Sequence, residues 1–222
     1  MRELLEHADA FVFDLDGTLA DTEPQHVNAF RRAMRTLVDY ELTASDEREY
    51  NGNTCNALAK TLSQRHALDL DPNEVAALKF EILYRDFQTD FFTGAIDFLR
   101  TWAPFRRLAI ASNSPLHFVQ RCLRDGGVLE LFDVIVTVSD VRRRKPDPEM
   151  ILLAAERLGL PPDRTLVFED SEPGMQAALN AKSPVALLDN PGYHLPTRRP
   201  LTVPVTTWGA LGTIAAGKTA SS

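Results

Sequence analysis

Short apolar runs alternate with longer amphipathic segments along much of the chain. Runs of this length, bounded by polar and turn residues, are typical of strands buried in a parallel sheet. The five runs span residues 10–13, 108–111, 134–138, 166–168 and 185–188. Apolar positions at helical spacing follow the second, third and fourth runs, over residues 116–124, 149–158 and 173–181. This alternation predicts an α/β fold with a Rossmann-like parallel sheet core and helices on both faces.

The chain between the first two runs departs from this alternation. Roughly 90 residues separate the runs, whereas a simple crossover needs about a dozen. Apolar side chains such as Val27, Phe30 and Met34 recur there at helical spacing. The pattern predicts helices over residues 24–37, 57–66 and 73–87. We therefore expect an inserted α-helical cap over residues 21–91 and a sheet core formed by 1–20 and 92–222, with small, polar residues 215–222 frayed.

Composition narrows the possible functions. Lys and Arg total 24 and Asp and Glu total 31 among 222 residues, so the formal net charge is −7. This acidic balance argues against non-specific binding of nucleic acid or of an anionic membrane. It does not exclude a small anionic substrate, because one local cluster of donors can hold a phosphate.

The cysteines and the apolar runs bear on location. Cys55 and Cys122 cannot form a disulfide framework, and free thiols suit a reducing compartment. The first residues lack the pattern of a signal peptide, and no apolar run approaches the ~20 residues that span a bilayer. We therefore expect a cytoplasmic protein.

Two acids, Asp14 and Asp16, follow the first apolar run in the segment FVFDLDGTL. Ligands of open α/β sheets bind beyond the carboxyl ends of the strands. Two acids placed there can share a divalent cation, or divide the roles of nucleophile and proton donor. A strand-ending Asp-Gly turn with solvated acids would give the same local pattern.

Two other strand ends carry groups that suit a phosphate. Ser112 and Asn113 end the second run where a helix begins, which favours either an anion site or an ordinary N-cap. Lys145 follows a basic run, residues 142–144, in the loop after the third strand. Its ammonium can bind a phosphate, whereas the three arginines are typical of a solvated loop.

A second acid pair, Glu169 and Asp170, ends the fourth run. Acids at the carboxyl ends of neighbouring strands converge on one point, and hard oxygen ligands in that arrangement suit Mg²⁺. Helix capping is the alternative role for these two acids.

The order of acid pair, hydroxyl, lysine and second acid pair resembles the haloacid dehalogenase-like hydrolase superfamily over nearly the whole chain. The segments DLDGTLADTEPQH, YNGNTCNALAKTL and RKPDPEM are similar to the subgroup with a small helical (C1) cap. That subgroup includes β-phosphoglucomutase and the sugar-phosphate phosphatases.

The resemblance implies a division of labour among the acids. Asp14 would be the nucleophile that forms an aspartyl phosphate, and Asp16 would be the general acid–base. A carboxylate oxygen of Asp14, the main-chain carbonyl of Asp16 and Asp170 would hold Mg²⁺. Glu169 would lie beside the metal, either directly or through water.

The resemblance also implies how the phosphate is held. Ser112 and the amides near Asn113 would bind phosphoryl oxygens, and Lys145 would neutralise charge and keep Asp14 ionised. The presence of Asp16 favours phosphate chemistry over carbon–halogen chemistry, because dehalogenases do not use this second acid.

The cap is expected to select the substrate. His26 matches a histidine that approaches the acid–base from the cap hinge in this subgroup, although a lone histidine on a helix is otherwise usually structural. Lys79, on the last predicted cap helix, can reach polar groups of the substrate, and a solvated helix lysine is the equally weighted alternative. The segment Gly52-Asn53-Thr54 resembles the substrate-specificity loop of the cap, which makes Asn53 a candidate substrate residue. Cys55 replaces an arginine that grips the second phosphate in β-phosphoglucomutase, which weakens the mutase interpretation.

The expected function is therefore a monomeric Mg²⁺-dependent phosphatase for small phosphorylated metabolites, either sugar phosphates or sugar-acid phosphates. A phosphosugar mutase of the β-phosphoglucomutase type is the alternative enzyme, and a noncatalytic binding or regulatory module on the same fold is the alternative of another class. Residues 212–219 match the P-loop spelling GxxxxGK[ST], but only three residues follow, which leaves no helix to face a phosphate.

Overall fold

The computed structural model describes residues 1–50 and 54–219, with side chains described up to residue 215. The described chain forms two compact units. The core unit contains Met1–Asp21 and the chain from Thr89 onward, and the helical unit contains Thr22–Gln88.

Six parallel strands form the sheet of the core unit. They are β1 (Ala10–Phe13), β2 (Arg107–Ser112), β3 (Val134–Thr137), β4 (Thr165–Glu169), β5 (Val185–Leu188) and β6 (Val205–Thr206). Their order is β3-β2-β1-β4-β5-β6, so β1 lies between β2 and β4. The predicted α/β fold with a Rossmann-like parallel sheet is confirmed.

Ten α-helices occur among the described residues. They are α1 (Arg2–His7), α2 (Glu23–Val38), α3 (Ala44–Tyr50), α4 (Cys55–His66), α5 (Pro72–Asp86), α6 (Ala95–Trp102), α7 (Leu116–Asp125), α8 (Glu149–Leu158), α9 (Glu172–Asn180) and α10 (Trp208–Thr219). None of them is both long enough and apolar enough to cross a bilayer.

Both faces of the central strands are buried, which explains why the strands read as continuous apolar runs. On one face, Phe13 stacks on Phe168 with ring centroids 4.9 Å apart, and both rings pack near Trp208 of α10. On the other face, Val12 belongs to a buried cluster with Met150 of α8 and Met175 of α9.

The helical unit consists of α2 to α5. Helix α5 packs against both α2 and α4, and its buried face includes Val75 and Leu83. The three helices predicted here correspond to α2, α4 and α5 with ends that differ by no more than two residues. Helix α3 was not predicted.

The expectation that residues 215–222 fray is wrong for the part that the structure describes. Helix α10 continues to Thr219, and Ala215 is buried. The segment with the P-loop spelling therefore lies inside a helix, where its backbone N–H groups are not free to surround a phosphate.

Candidate active site

Three neighbouring strands end in the residues with candidate chemistry. Asp14 directly follows β1, Ser112 is the last residue of β2, and Glu169 is the last residue of β4. The strand order reverses between β1 and β4, because the chain fills one side of β1 with β2 and β3 before it crosses to the other. The carboxyl ends at such a reversal border the crevice in which ligands bind.

Lys145 lies between two of these acids. Its Nζ is 2.7 Å from Asp14 Oδ1 and 2.5 Å from Glu169 Oε1, and its side chain is 3% exposed. Burial opposes the charge, but the two carboxylates outweigh burial and raise the pKa of Lys145. The backbone N–H of Lys145 donates to Asn113 Oδ1 (3.3 Å). Lys145 is therefore a fixed ammonium, and Asn113 contributes to holding its loop.

The acids outnumber this ammonium. Carboxylate oxygens of Asp14, Glu169 and Asp170 all lie within 4.8 Å of one another. Burial, reinforced by neighbouring acids, raises the pKa of Asp14 well above its usual value despite Lys145. Burial and the charge of Glu169 raise the pKa of Asp170 to about 8. A site with uncompensated carboxylates and hard oxygen donors fits Mg²⁺.

The carboxylate of Glu169 is held on both sides. Its Oε1 accepts from Lys145, and its Oε2 accepts from the backbone N–H groups of Asp170 (3.1 Å) and Ser171 (3.2 Å) and from the Ser171 hydroxyl (2.9 Å). Gly174 in the first turn of α9 leaves the space for this carboxylate, which a Cβ atom would overlap. Glu169 thus accepts from the two residues just before α9, whose N-cap is Ser171, and also holds the catalytic lysine candidate.

Asp16 points toward the end of β2. Its Oδ2 accepts from the hydroxyl of Ser114 at 2.6 Å and, more weakly, from the hydroxyl of Ser112 at 3.4 Å. The Ser112 hydroxyl in turn accepts from the backbone N–H of Ser114 (3.0 Å). The structure therefore brings Asp16 and Ser112 together.

Two further site residues escaped the sequence analysis. Ser114 contacts Asp16, and the Thr18 hydroxyl donates to Asp170 Oδ1 at 2.9 Å. Each lies two residues beyond a residue that was singled out, Ser112 and Asp16 respectively. Their position within the same motifs was the available signal, but the direction of each side chain depends on the turn.

The candidate substrate residues of the helical unit are partly described. Lys79 Nζ is 2.9 Å from His26 Nδ1, and Lys79 is 1% exposed with its ammonium 4.0 Å from the Phe80 ring centroid. Burial raises the pKa of the Cys55 thiol to about 11. Asn53 lies outside the described residues. His26 and Lys79 thus form a contact that sequence spacing did not predict.

Comparison with known proteins identifies the family. The model of the haloacid dehalogenase-like hydrolases matches residues 8–182, which include every candidate active-site residue. The chain belongs to this family. The resemblance drawn from the motifs is therefore confirmed.

Relatives of this haloacid dehalogenase-like hydrolase are named as phosphatases. The chain is 31% identical over 178 residues to fructose-1-phosphate phosphatase YqaB of Escherichia coli (strain K12). The alignment covers 79% of this chain and 93% of that protein. It is 29% identical over 208 residues to an N-acetylmuramic acid 6-phosphate phosphatase of Pseudomonas aeruginosa, and this alignment covers 90% of this chain and 88% of that protein. The hydrolase is thus a phosphoric monoester hydrolase.

Solved structures share the fold of this chain. CbbY from Rhodobacter sphaeroides, in complex with phosphate, superposes with a TM-score of 0.76 at 27% identity over 92% of this chain and 95% of that chain. A putative β-phosphoglucomutase from Thermotoga maritima gives a TM-score of 0.74 at 25% identity over 94% and 99%.

Proposed function

We propose that the protein is a Mg²⁺-dependent phosphatase that hydrolyses small sugar phosphates or sugar-acid phosphates through an aspartyl phosphate on Asp14. The buried contact of Lys145 with Asp14 and Glu169 carries this proposal. Burial and the neighbouring acids raise the pKa of Asp14, whereas the adjacent ammonium opposes this shift, as bound Mg²⁺ would, and so favours the carboxylate that a nucleophile requires.

In the first step, a carboxylate oxygen of Asp14 attacks phosphorus and the bond from phosphorus to the ester oxygen breaks. Protonated Asp16 donates its proton to that oxygen, which leaves as an alcohol. The Ser112 hydroxyl and the N–H groups near Asn113 hold phosphoryl oxygens, and Lys145 offsets their negative charge.

In the second step, the carboxylate of Asp16 accepts a proton from water as the water oxygen attacks phosphorus. The bond between phosphorus and Asp14 breaks, so Asp14 regains its carboxylate and inorganic phosphate forms. Asp16 regains its proton for the next substrate. The Ser114 hydroxyl, 2.6 Å from Asp16 Oδ2, supports an orientation of Asp16 that serves both steps.

The residues that would hold Mg²⁺ are Asp14, Asp170 and the main-chain carbonyl of Asp16. Glu169 would act from outside the first ligand shell, because both of its oxygens already accept hydrogen bonds. Bound Mg²⁺ supplies charge neutralisation for the phosphoryl oxygens.

The helical unit would select the substrate through His26, Asn53 and Lys79. A buried ammonium next to an imidazole, as in the contact of Lys79 with His26, suits the hydroxyl or anionic groups of a phosphorylated sugar. We further propose a monomer that acts in the cytoplasm, where Cys55 and Cys122 remain reduced.

Phosphate release from fructose 1-phosphate and p-nitrophenyl phosphate tests the activity, with Mg²⁺ and with EDTA. We expect turnover that requires Mg²⁺ and falls at least about a thousandfold in Asp14→Asn, because the nucleophile is lost. Turnover that persists in Asp14→Asn would refute the proposed mechanism. Interconversion of glucose phosphates with little net phosphate release would favour the mutase alternative.

Substitution of Lys79 separates substrate selection from chemistry. Lys79→Met is expected to raise KM for the sugar phosphate and to leave kcat for p-nitrophenyl phosphate within about threefold, because the small aryl ester makes few contacts beyond its phosphate. Lys60→Met is the matched control, since Lys60 is exposed on α4. An unchanged KM in Lys79→Met would remove this residue from the substrate site.

A further inference from the structure

The loop that follows β5 contacts the turn that carries Asp16. Asn190 in this loop is 5% exposed, and its Nδ2 donates to the carbonyls of Gly17 (2.8 Å) and Thr18 (3.1 Å). Trp208 Nε1 donates to the same Thr18 carbonyl at 3.1 Å. Two distant segments of the chain therefore fix the backbone immediately after Asp16.

Tyr193 closes the same turn from another side. Gly17 has a φ of +83°, and a Cβ atom on it would lie 2.5 Å from the Tyr193 ring. The ring thus packs directly on the Gly17 backbone. A shift of this ring would open space beside the turn, and a shift of the turn would displace the ring.

Tyr193 also contacts both segments where the chain leaves the core unit and returns to it. Its hydroxyl donates to Asp21 Oδ1 at 3.0 Å, and its ring meets the Phe92 ring edge-on with centroids 5.6 Å apart. The two segments are themselves joined by hydrogen bonds from Asp21 N to Asp90 O (2.8 Å) and from Phe92 N to Leu19 O (3.0 Å).

We infer that Asn190 and Tyr193 are positioning residues that hold Asp16 in line with the oxygen of the leaving group. This inference rests on the proposed role of Asp16 as general acid. Asn190 fixes the carbonyls that follow Asp16, and Tyr193 fixes the turn against the segments that lead to the helical unit. Neither residue contacts the reacting atoms in this assignment.

A misplaced general acid has a specific kinetic signature. The parameter kcat/KM reports the steps up to transfer of the phosphoryl group to Asp14. An alkyl phosphate needs a proton donor in that step, whereas p-nitrophenolate leaves readily as an anion. Loss of positioning should therefore lower kcat/KM for a sugar phosphate far more than for p-nitrophenyl phosphate.

The test compares Asn190→Ala and Tyr193→Phe with the wild type on both substrates, using a sugar phosphate that the wild type turns over, with fructose 1-phosphate tried first. Tyr40→Phe is the matched control, because the Tyr40 hydroxyl donates to Asp46 Oδ2 at 3.0 Å inside the helical unit. Melting temperatures of the two tyrosine variants show whether each lost a comparable hydrogen bond.

For Asn190→Ala we expect a tenfold to hundredfold fall, as an order of magnitude, in kcat/KM for the sugar phosphate. Tyr193→Phe should show a smaller fall of the same kind. The kcat/KM for p-nitrophenyl phosphate should stay within about threefold, and Tyr40→Phe should change kcat/KM for neither substrate. Equal losses on both substrates, or no loss in either variant, would overturn the positioning role.

Asp16→Asn in the same assay distinguishes this inference from the function on which it rests. A loss confined mainly to the sugar phosphate supports Asp16 as the acid, and unchanged Asn190→Ala and Tyr193→Phe would then overturn the positioning role alone. An equal loss on both substrates in Asp16→Asn would remove the acid role and this inference with it.

Discussion

Lys145 shows how much of the site depends on one side chain. Its ammonium contacts the buried carboxylates of Asp14 and Glu169, and each of those acids has other acids nearby. Removing the ammonium leaves two buried carboxylates without their cation, which costs far more than loss of an exposed ion pair.

We predict that Lys145→Met lowers phosphatase activity at least about a hundredfold and destabilises the fold by about 3–5 kcal/mol. Initial rates and urea unfolding at neutral pH measure the two effects. Lys60→Met, a substitution of an exposed lysine, should change stability by less than about 0.5 kcal/mol. Near-wild-type activity in Lys145→Met would contradict the role assigned to the ammonium.

At the residue scale, the sequence predicts those candidate site residues whose chemistry is evident from their position in a motif. Asp14, Asp16 and Lys145 each follow an apolar run, so the fold brings them to one edge of the sheet. Ser114 and Thr18 were missed because a hydroxyl near a strand end is common, and only the turn geometry shows that one contacts Asp16 and the other Asp170.

At the element scale, helix α9 contains a glycine whose effect on protein stability is opposite to the effect that helix propensity predicts. Alanine is favoured over glycine in helices by about 1 kcal/mol. Gly174, however, lies against the carboxylate of Glu169, and a Cβ there would overlap it.

We predict that Gly174→Ala destabilises the protein by about 2 kcal/mol and lowers activity, because Glu169 must move away from Lys145. Gly212→Ala is the matched control, because no heavy atom lies within 4 Å of the position that its Cβ would take. That control should stabilise the protein by about 0.5–1 kcal/mol. Urea unfolding of both variants checks the opposite signs, and equal signs would contradict the packing argument.

Helix α3 begins with a reciprocal cap. The backbone N–H and hydroxyl of Thr43 both donate to Asp46 Oδ2 at 2.8 Å, and the backbone N–H of Asp46 donates to the Thr43 hydroxyl at 3.2 Å. Burial opposes ionisation, but these donors and Arg65 outweigh burial and lower the pKa of Asp46 below its ordinary 3.8. The ionised carboxylate is therefore the form that the fold favours.

Because the pKa of Asp46 is lower in the folded protein than in the unfolded chain, its ionised carboxylate stabilises the fold at pH values above the unfolded-state pKa. This stabilisation is lost as pH falls through the folded-state pKa. We predict that Asp46→Asn costs about 2 kcal/mol at pH 7, and that this difference from the wild type shrinks as pH falls below about 4. Urea unfolding across this range measures it, with Asp69→Asn as an exposed control. A difference that is independent of pH would contradict the assignment.

Helix length decided which elements the apolar pattern could predict. The six helices found were at least nine residues long, whereas α1, α3 and α6 have six, seven and eight residues. So few residues give hardly two turns of periodicity. Helix α10 is longer but rich in small residues, so it shows little contrast between an apolar and a polar face.

At the scale of the whole molecule, the acid cluster should make stability depend on the metal. A bound divalent cation reduces the repulsion between carboxylates that the folded protein brings together. The cation therefore binds the folded chain more tightly than the unfolded chain and stabilises the fold. At a hundredfold excess over Kd, such binding is worth about 2.7 kcal/mol.

We predict that Mg²⁺ at this excess raises the Tm by roughly 5–10 °C and that Asp170→Asn loses most of this rise. Differential scanning fluorimetry with and without EDTA measures the shift. Asp163→Asn, at an exposed position before β4, should keep the full rise. A full rise in Asp170→Asn would show that the cation binds elsewhere.

The central position of β1 has a consequence for the order in which the protein can form during synthesis. The ribosome makes residues 10–13 well before both strands that pair with them, residues 107–112 and 165–169. The side chains of Phe11 and Phe13 therefore stay exposed in the nascent chain until the rest of the sheet has been made. The strand that leads to Asp14 is thus translated before either of its partners, and the site around Asp14 cannot assemble until β4 has emerged.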